Sequence, residues 1–189
     1  MYWLDKSKKQ LFSINSNLPS NPALLMMVNY HDSPIGPYHE LLLIPGKYNL
    51  DKRSGYSITH IHVSTDVSTF NGRENWQIPK QTSKFLFDKK ESNISFDIID
   101  SHKKTTKLSY SNRSVSLPVF THLIPYNILQ KKLEKCVQFR PEATGKAVLA
   151  TLTNFHSNMA GFEALNHLKP IISLYIPSFK MTFPIAKWC

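Results

Sequence analysis

Cysteine is nearly absent from this chain. Two cysteines among 189 residues, Cys136 and Cys189, are too few for a disulfide scaffold, and they read as free thiols suited to a reducing compartment. Long apolar runs are missing too: the longest, Leu24 to Val28 and Leu41 to Pro45, fall far short of the roughly 20 residues that a spanning helix needs. Glycine is scarce, with six against twelve prolines and eleven phenylalanines, which favours strands and rigid loops over a helical bundle. Acidic residues number 13 against 23 basic ones, a formal charge of +10. That balance would suit a polyanion, but the basic pairs (Lys8-Lys9, Lys52-Arg53, Lys89-Lys90, Lys103-Lys104, Lys131-Lys132) are scattered. They follow no RNA-recognition, KH or zinc-finger pattern, so neither a nucleic acid nor a membrane is the expected partner. Met1 to Lys6 has no apolar signal core, and the cytoplasm is the expected compartment. What is present, 41% hydrophobic and 19% charged residues, excludes disorder and bounds the chain to one folded domain.

Residues 1–23 are polar and rich in asparagine and proline, so they read as a lead-in to a single domain over 24–189. Leu24 to Tyr30 and Tyr38 to Ile44 read as buried strands around the turn residues Ser33-Pro34-Ile35-Gly36-Pro37. Ser57 to Val63 alternates as a strand, with Ile58, His60 and His62 on one face. Ser64 or Thr65 can cap a short helix running through Thr69, with Gly72 as its stop. Lys84 to Phe87, Ile94 to Ile99, Thr106 to Tyr110, Lys146 to Asn154, Ile171 to Tyr175 and Phe179 to Phe183 read as further strands. Leu123 to Cys136 carries Ile128, Leu129 and Leu133 at helical spacing. Ile58, Phe87, Phe96 and Ile98 belong to the expected core. The pattern is α+β, mainly β, with few short helices and a barrel-like core.

Most catalytic signatures are missing: no phosphate loop, no dinucleotide-binding glycine pattern and no nucleophile elbow. His60 and His62 could offer two metal ligands, but no spacing supplies a third, and no metal site is expected. One segment stands apart, Asn71-Gly72-Arg73-Glu74-Asn75-Trp76-Gln77-Ile78-Pro79-Lys80. It sets a lysine after a rigid Ile-Pro link, behind a tryptophan and ahead of Phe85 and Phe87. Apolar surroundings disfavour the charged amine, and a neutral amine is the nucleophile that forms a Schiff base with a carbonyl.

Gly72-Arg73-Glu74 followed by Pro79-Lys80 resembles the lysine motif of the acetoacetate decarboxylase family. Ser33 to Gly46, with Glu40 at its centre, is similar to the segment that carries the family's active-site glutamate. The two motifs stand in the family's order. Asn71 to Lys80 reads like the form in the fungal acetoacetate decarboxylase-like branch, and Ser178 to Pro184 is similar to that branch's closing strand. The resemblance implies an antiparallel β-barrel enclosing a pocket, assembly into homo-oligomers, and no metal or organic cofactor. It places Lys80 at the Schiff-base position and Glu40 beside it, with Arg73, Trp76, Leu25 and Gln81 as substrate-binding neighbours. The chain differs from the family's pattern at three points. Gln81 stands where a second lysine follows the nucleophile, Leu25 where another carboxylate falls, and no arginine precedes Arg53. Two functions follow: a lyase that decarboxylates a β-keto acid or related carbonyl compound through a Lys80 iminium, or an inactive barrel that binds a small apolar or carbonyl ligand. Either way, Glu40 and Lys80 are expected to meet in one cavity.

Overall fold

The computed structural model describes residues 2–5, 23–50, 53–90, 93–120, 127–132 and 135–189. Ten strands form one sheet in the order β7-β6-β3-β2-β1-β14-β13-β10-β9-β8. In chain order these are β1 (Tyr2–Asp5), β2 (Ala23–Tyr30), β3 (Tyr38–Ile44), β6 (His60–Val63), β7 (Lys80–Thr82), β8 (Lys84–Lys90), β9 (Asn93–Ile99), β10 (Thr105–Phe120), β13 (Glu142–Ser157) and β14 (Ile172–Thr182). A second sheet, ordered β15-β12-β11-β5-β4, holds β4 (Lys47–Leu50), β5 (Arg53–Tyr56), β11 (Ile128–Lys132), β12 (Lys135–Phe139) and β15 (Lys187–Trp188). Pairing is antiparallel except between β6 and β7 and between β5 and β11. The large sheet's edge strands, β7 and β8, are consecutive in the chain and joined by Ser83 alone. The sheet therefore curls until its edges approach at a seam, and Lys80 opens that seam.

The apolar runs of β2 and β3 follow from burial on both faces. Leu25, Met27, Leu41 and Leu43 enter one core cluster, while Val28, Tyr30, Tyr38, Leu42 and Ile44 enter another. Glu40 shares the parity of Tyr38 and Leu42, so it projects with the second set. Its strand is held on both sides, Val28 facing Glu40 across β2 and Val63 facing it across β6.

Among the described residues there is one α-helix, α1 (Asp66–Trp76). Thr65 caps it, its hydroxyl accepting from the Ser68 N–H at 3.3 Å. The helix runs past Gly72 and stops at Gln77, whose φ of 54° is left-handed. The expected helix over Leu123 to Cys136 is not formed in its described part, where β11 and β12 pair as a hairpin. Ile128 and Leu129 are both buried, and Gln130, also buried, bonds Ser57 and the Ile58 carbonyl. Neighbouring strands override the helical spacing here.

The strands expected at Ile171 to Tyr175 and Phe179 to Phe183 merge into β14, and the one expected from Ser57 begins at His60. Ile58, Phe96 and Ile98 are buried as expected, but Phe87 is 42% exposed, because β8 is an edge strand. Of the segment read as a lead-in, Tyr2–Asp5 forms β1 between β2 and β14; residues 6–22 lie outside the described residues.

The cysteines overturn their sequence reading. Cys136 on β12 and Cys189 after β15 form a disulfide with Cα atoms 5.1 Å apart. The pairing of Val137 with Trp188 and of the Cys189 N–H with the Cys136 carbonyl brings them together. Closing a loop across 53 positions contributes about 4 kcal/mol in the chain-entropy account. The free-thiol argument for a reducing compartment falls with it. No helix among the described residues is long and apolar enough to cross a membrane.

Candidate active site

Lys80 is placed by its neighbours at every level. Its carbonyl accepts from Arg73 Nε at 2.7 Å, and its N–H donates to the Ile78 carbonyl at 2.8 Å. Thr82, two residues on, hydrogen-bonds both Asp66 and Thr69, which ties β7 to α1. The lysine's methylene stem crosses α1 at Gly72. A β-carbon there would lie 2.5 Å from Lys80 Cδ and 2.7 Å from Cε, so only glycine leaves the passage open.

Beyond Gly72 the ammonium reaches a buried polar cluster. Lys80 Nζ lies 2.9 Å from Glu40 Oε2 and donates to Ser68 Oγ at 3.0 Å. Only 8% of the lysine side chain and 3% of the glutamate side chain meet solvent. Nζ also sits over the Tyr38 ring, 5.2 Å from its centroid, within cation–π range. Tyr30, stacked on Tyr38 at 4.5 Å, directs its hydroxyl to Glu40 Oε1 at 3.5 Å. Burial, and then the Glu40 charge, push the Tyr38 phenol far above its ordinary range, so it stays protonated at any working pH.

These groups face an open-mouthed cavity of about 990 Å³ bounded by the curled sheet and α1. Lys80, Glu40, Ser68, Tyr30, Tyr38 and Trp76 all line it, and the Trp76 indole is fixed by donating to the Pro184 carbonyl at 2.8 Å. The other residues singled out in the sequence stand elsewhere. Leu25 is 2% exposed within a core cluster and does not line the cavity. Gln81 is exposed, since strand alternation turns it away from its neighbour Lys80. Arg73 is an exposed helix residue whose contact is with the backbone of Lys80. Ser68 and Tyr30 carry no site signal of their own in the sequence, and Tyr38 carries only the strand parity it shares with Glu40.

His60 and His62 pack against Phe162, with ring centroids 5.9 and 5.7 Å away. Among the described residues no three histidine, cysteine or acidic side chains cluster as metal ligands would. Burial lowers His62 to about 4, and its Nδ1 lies 2.8 Å from Ser83 Oγ at the seam. The unfolded chain, with its histidine near the ordinary 6.5, binds the proton first as pH falls. His62 therefore adds stability above about pH 6.5 that is lost as pH drops towards 4. Urea titrations at pH 7 and pH 4.5 should differ by about 2–3 kcal/mol from this residue. His62→Gln should remove that part of the difference, and an unchanged pH dependence would refute the assignment.

No protein-family model and no curated protein matches this sequence. Solved structures do match. An acetoacetate decarboxylase aligns with a TM-score of 0.74 at 12% identity, covering 100% of this chain and 85% of that one. The acetoacetate decarboxylase of Legionella pneumophila aligns with a TM-score of 0.66 at 13% identity, covering 100% and 84%. The enduracididine biosynthesis enzyme MppR, solved with pyruvate, aligns with a TM-score of 0.63 at 12% identity, covering 99% and 86%. The same enzyme has been solved with the condensation product of pyruvate and imidazole 4-carboxaldehyde. At these identities the likeness is one of fold: mainly β, a curled sheet with one helix, of the acetoacetate decarboxylase-like type.

Proposed function

We propose that this chain, built on the acetoacetate decarboxylase-like fold, is a Schiff-base lyase that uses Lys80 to decarboxylate a β-keto acid or related carbonyl compound. One observation carries the reading: a lysine buried in a cavity, clamped by Arg73 and Gly72, with a carboxylate 2.9 Å from its nitrogen. Glu40 takes a proton from the Lys80 ammonium, and the neutral amine adds to the substrate carbonyl. Loss of water gives a protonated imine. The electron pair of the bond to the leaving carboxylate moves into that imine as carbon dioxide departs. Glu40, having given the ammonium's proton to the departing hydroxyl, relays a solvent proton to the resulting enamine carbon, and water releases the ketone. Tyr38, held as a phenol, and Ser68 stand beside the nitrogen to hydrogen-bond the carbinolamine oxygen.

The same iminium serves carbon–carbon bond formation, and a condensation product of pyruvate and an aldehyde is the ligand in one MppR structure. The small-molecule carbonyl compound is the partner in this reading; no step calls for a cofactor, nucleic acid or membrane. Exposed Val67 and Phe70 on the outer face of α1 support assembly into homo-oligomers. The fungal branch is supported by the Asn71 to Lys80 sequence. A second reading, a barrel that binds without catalysis, is favoured by the tight ion pair, which already engages the Lys80 nitrogen, and by the absence of arginine from the described cavity wall. Borohydride treatment in the presence of acetoacetate or a diketone separates the two. A single reduced adduct mapping to Lys80, and absent from Lys80→Ala, is the expected result. A folded protein that gives no adduct with any ketone would leave the binding reading.

A further inference from the structure

The cavity is far larger than a small β-keto acid requires. A molecule of acetoacetate's size displaces about four waters at about 30 Å³ each, whereas about 990 Å³ lies at the upper end of the range for drug-sized ligands. Away from Ser68 and the tyrosine hydroxyls its buried wall is mostly apolar, with Val28, Ile61, Ile78, Ile94, Phe96 and Tyr110. Among the described lining residues the only buried charges are Lys80 and Glu40, which neutralise each other. The remaining ionic residues, Asp32, Lys89 and Lys180, are all exposed. A substrate carboxylate drawn inside would be left without a cation of its own and would face Glu40, an arrangement that desolvation penalises heavily.

From this we infer that the physiological substrate is a neutral, largely apolar ketone or aldehyde of drug-like size, its hydrocarbon body filling the cavity while its carbonyl reaches Lys80. The inference rests on the Schiff-base reading for its covalent step only: it sets a related carbonyl compound in place of the β-keto acid, and carbon–carbon cleavage or formation through the same iminium in place of decarboxylation. In that step the Lys80 nitrogen bonds to the carbonyl carbon and the carbonyl oxygen leaves as water. With no carboxylate to lose, the bond broken or made next is one between carbons beside the imine, as in a β-hydroxy ketone.

The test uses five probes on the full chain: acetone, acetoacetate, 4-phenyl-2-butanone, its analogue carrying a carboxylate on the ring, and 4-phenyl-2-butanol. The alcohol cannot form an imine, so calorimetry with it reads occupancy alone. Burying the phenyl ring should make 4-phenyl-2-butanone label Lys80 about 10- to 100-fold more efficiently than acetone or acetoacetate under borohydride. The ring carboxylate should remove most of that gain, and Val28→Phe, which narrows the cavity, should weaken the aryl probes while sparing acetone. Binding of the alcohol with no adduct from any ketone would support the apolar ligand and overturn the Schiff-base reading. Acetoacetate labelling as fast as the aryl ketone would overturn the inference while leaving the Schiff base standing. A preference for the carboxylated analogue, lost in Lys180→Ala or Lys89→Ala, would also overturn it, as would failure of every aryl probe to bind.

Discussion

Replacing Glu40 with glutamine, or Lys80 with methionine, should each lower the stability of the fold by about 3–5 kcal/mol, and replacing both should cost far less than the sum. Each single change leaves one charge in a site that admits 8% or less of either side chain to solvent. Tyr30 and Ser68 can hydrogen-bond the survivor but cannot neutralise it. The double variant removes both charges, so the coupling between the positions should emerge from urea titrations of the four proteins at pH 7. Simple additivity would show that the pair is not coupled in solution. The chemistry should divide differently. Lys80→Met should give no adduct at all, whereas Glu40→Gln should form one slowly and at a rate that rises with pH, because the ammonium proton must then pass to solvent base.

Gly72→Ala should separate activity from stability. Alanine is the better helix former by about 1 kcal/mol, and Gly72 lies in the middle of α1. The new methyl group would stand 2.5 Å from Lys80 Cδ. The lysine stem is flexible and must bend aside, which shifts Nζ against Glu40 and Ser68 while the two charges stay paired. A displacement of about 1 Å at a reacting centre costs on the order of 100-fold in rate. The expected outcome is a thermal midpoint within a few degrees of the parent and an adduct rate lower by about that factor. An unchanged rate would mean that Lys80 does not depend on the passage over Gly72.

Much of this arrangement can be read in the chain before any coordinates. The apolar runs around Gly36 mark β2 and β3 because a two-sided burial leaves no room for polar alternation. The link from Glu40 to Lys80 is carried by the order of two motifs, since forty residues of separation give no distance. The spacing of Ile128 and Leu129 misleads: five residues cannot distinguish a helix face from a strand buried on both sides, and of the partners that decide, β12 is the hairpin's other arm but β5 is non-local. The disulfide is hidden for the same reason, as the approach of Cys189 to Cys136 depends on the short pairing of β15 with β12. Ser68 reads as an ordinary residue of a capped first turn. Its role appears only once Gly72 lets Lys80 cross the helix. Tyr38 was accessible by parity with Glu40, and Tyr30 by its place directly opposite Tyr38 across the hairpin.

A strand that is greasy on both sides has a weakness that ordinary amphipathic strands lack. When β3 slides by one residue against β2, leucines replace leucines in both compartments, and hydrophobicity alone hardly notices the error. Glu40 notices. The slip would carry its carboxylate among Leu25, Met27, Leu41 and Leu43 and would strand the Lys80 ammonium without its counter-ion. The charged pair thus works as a locating pin for the sheet, whatever chemistry it performs. A barrel that binds without catalysis would still have reason to keep both residues, because losing either would loosen the alignment of the strands that wall the cavity.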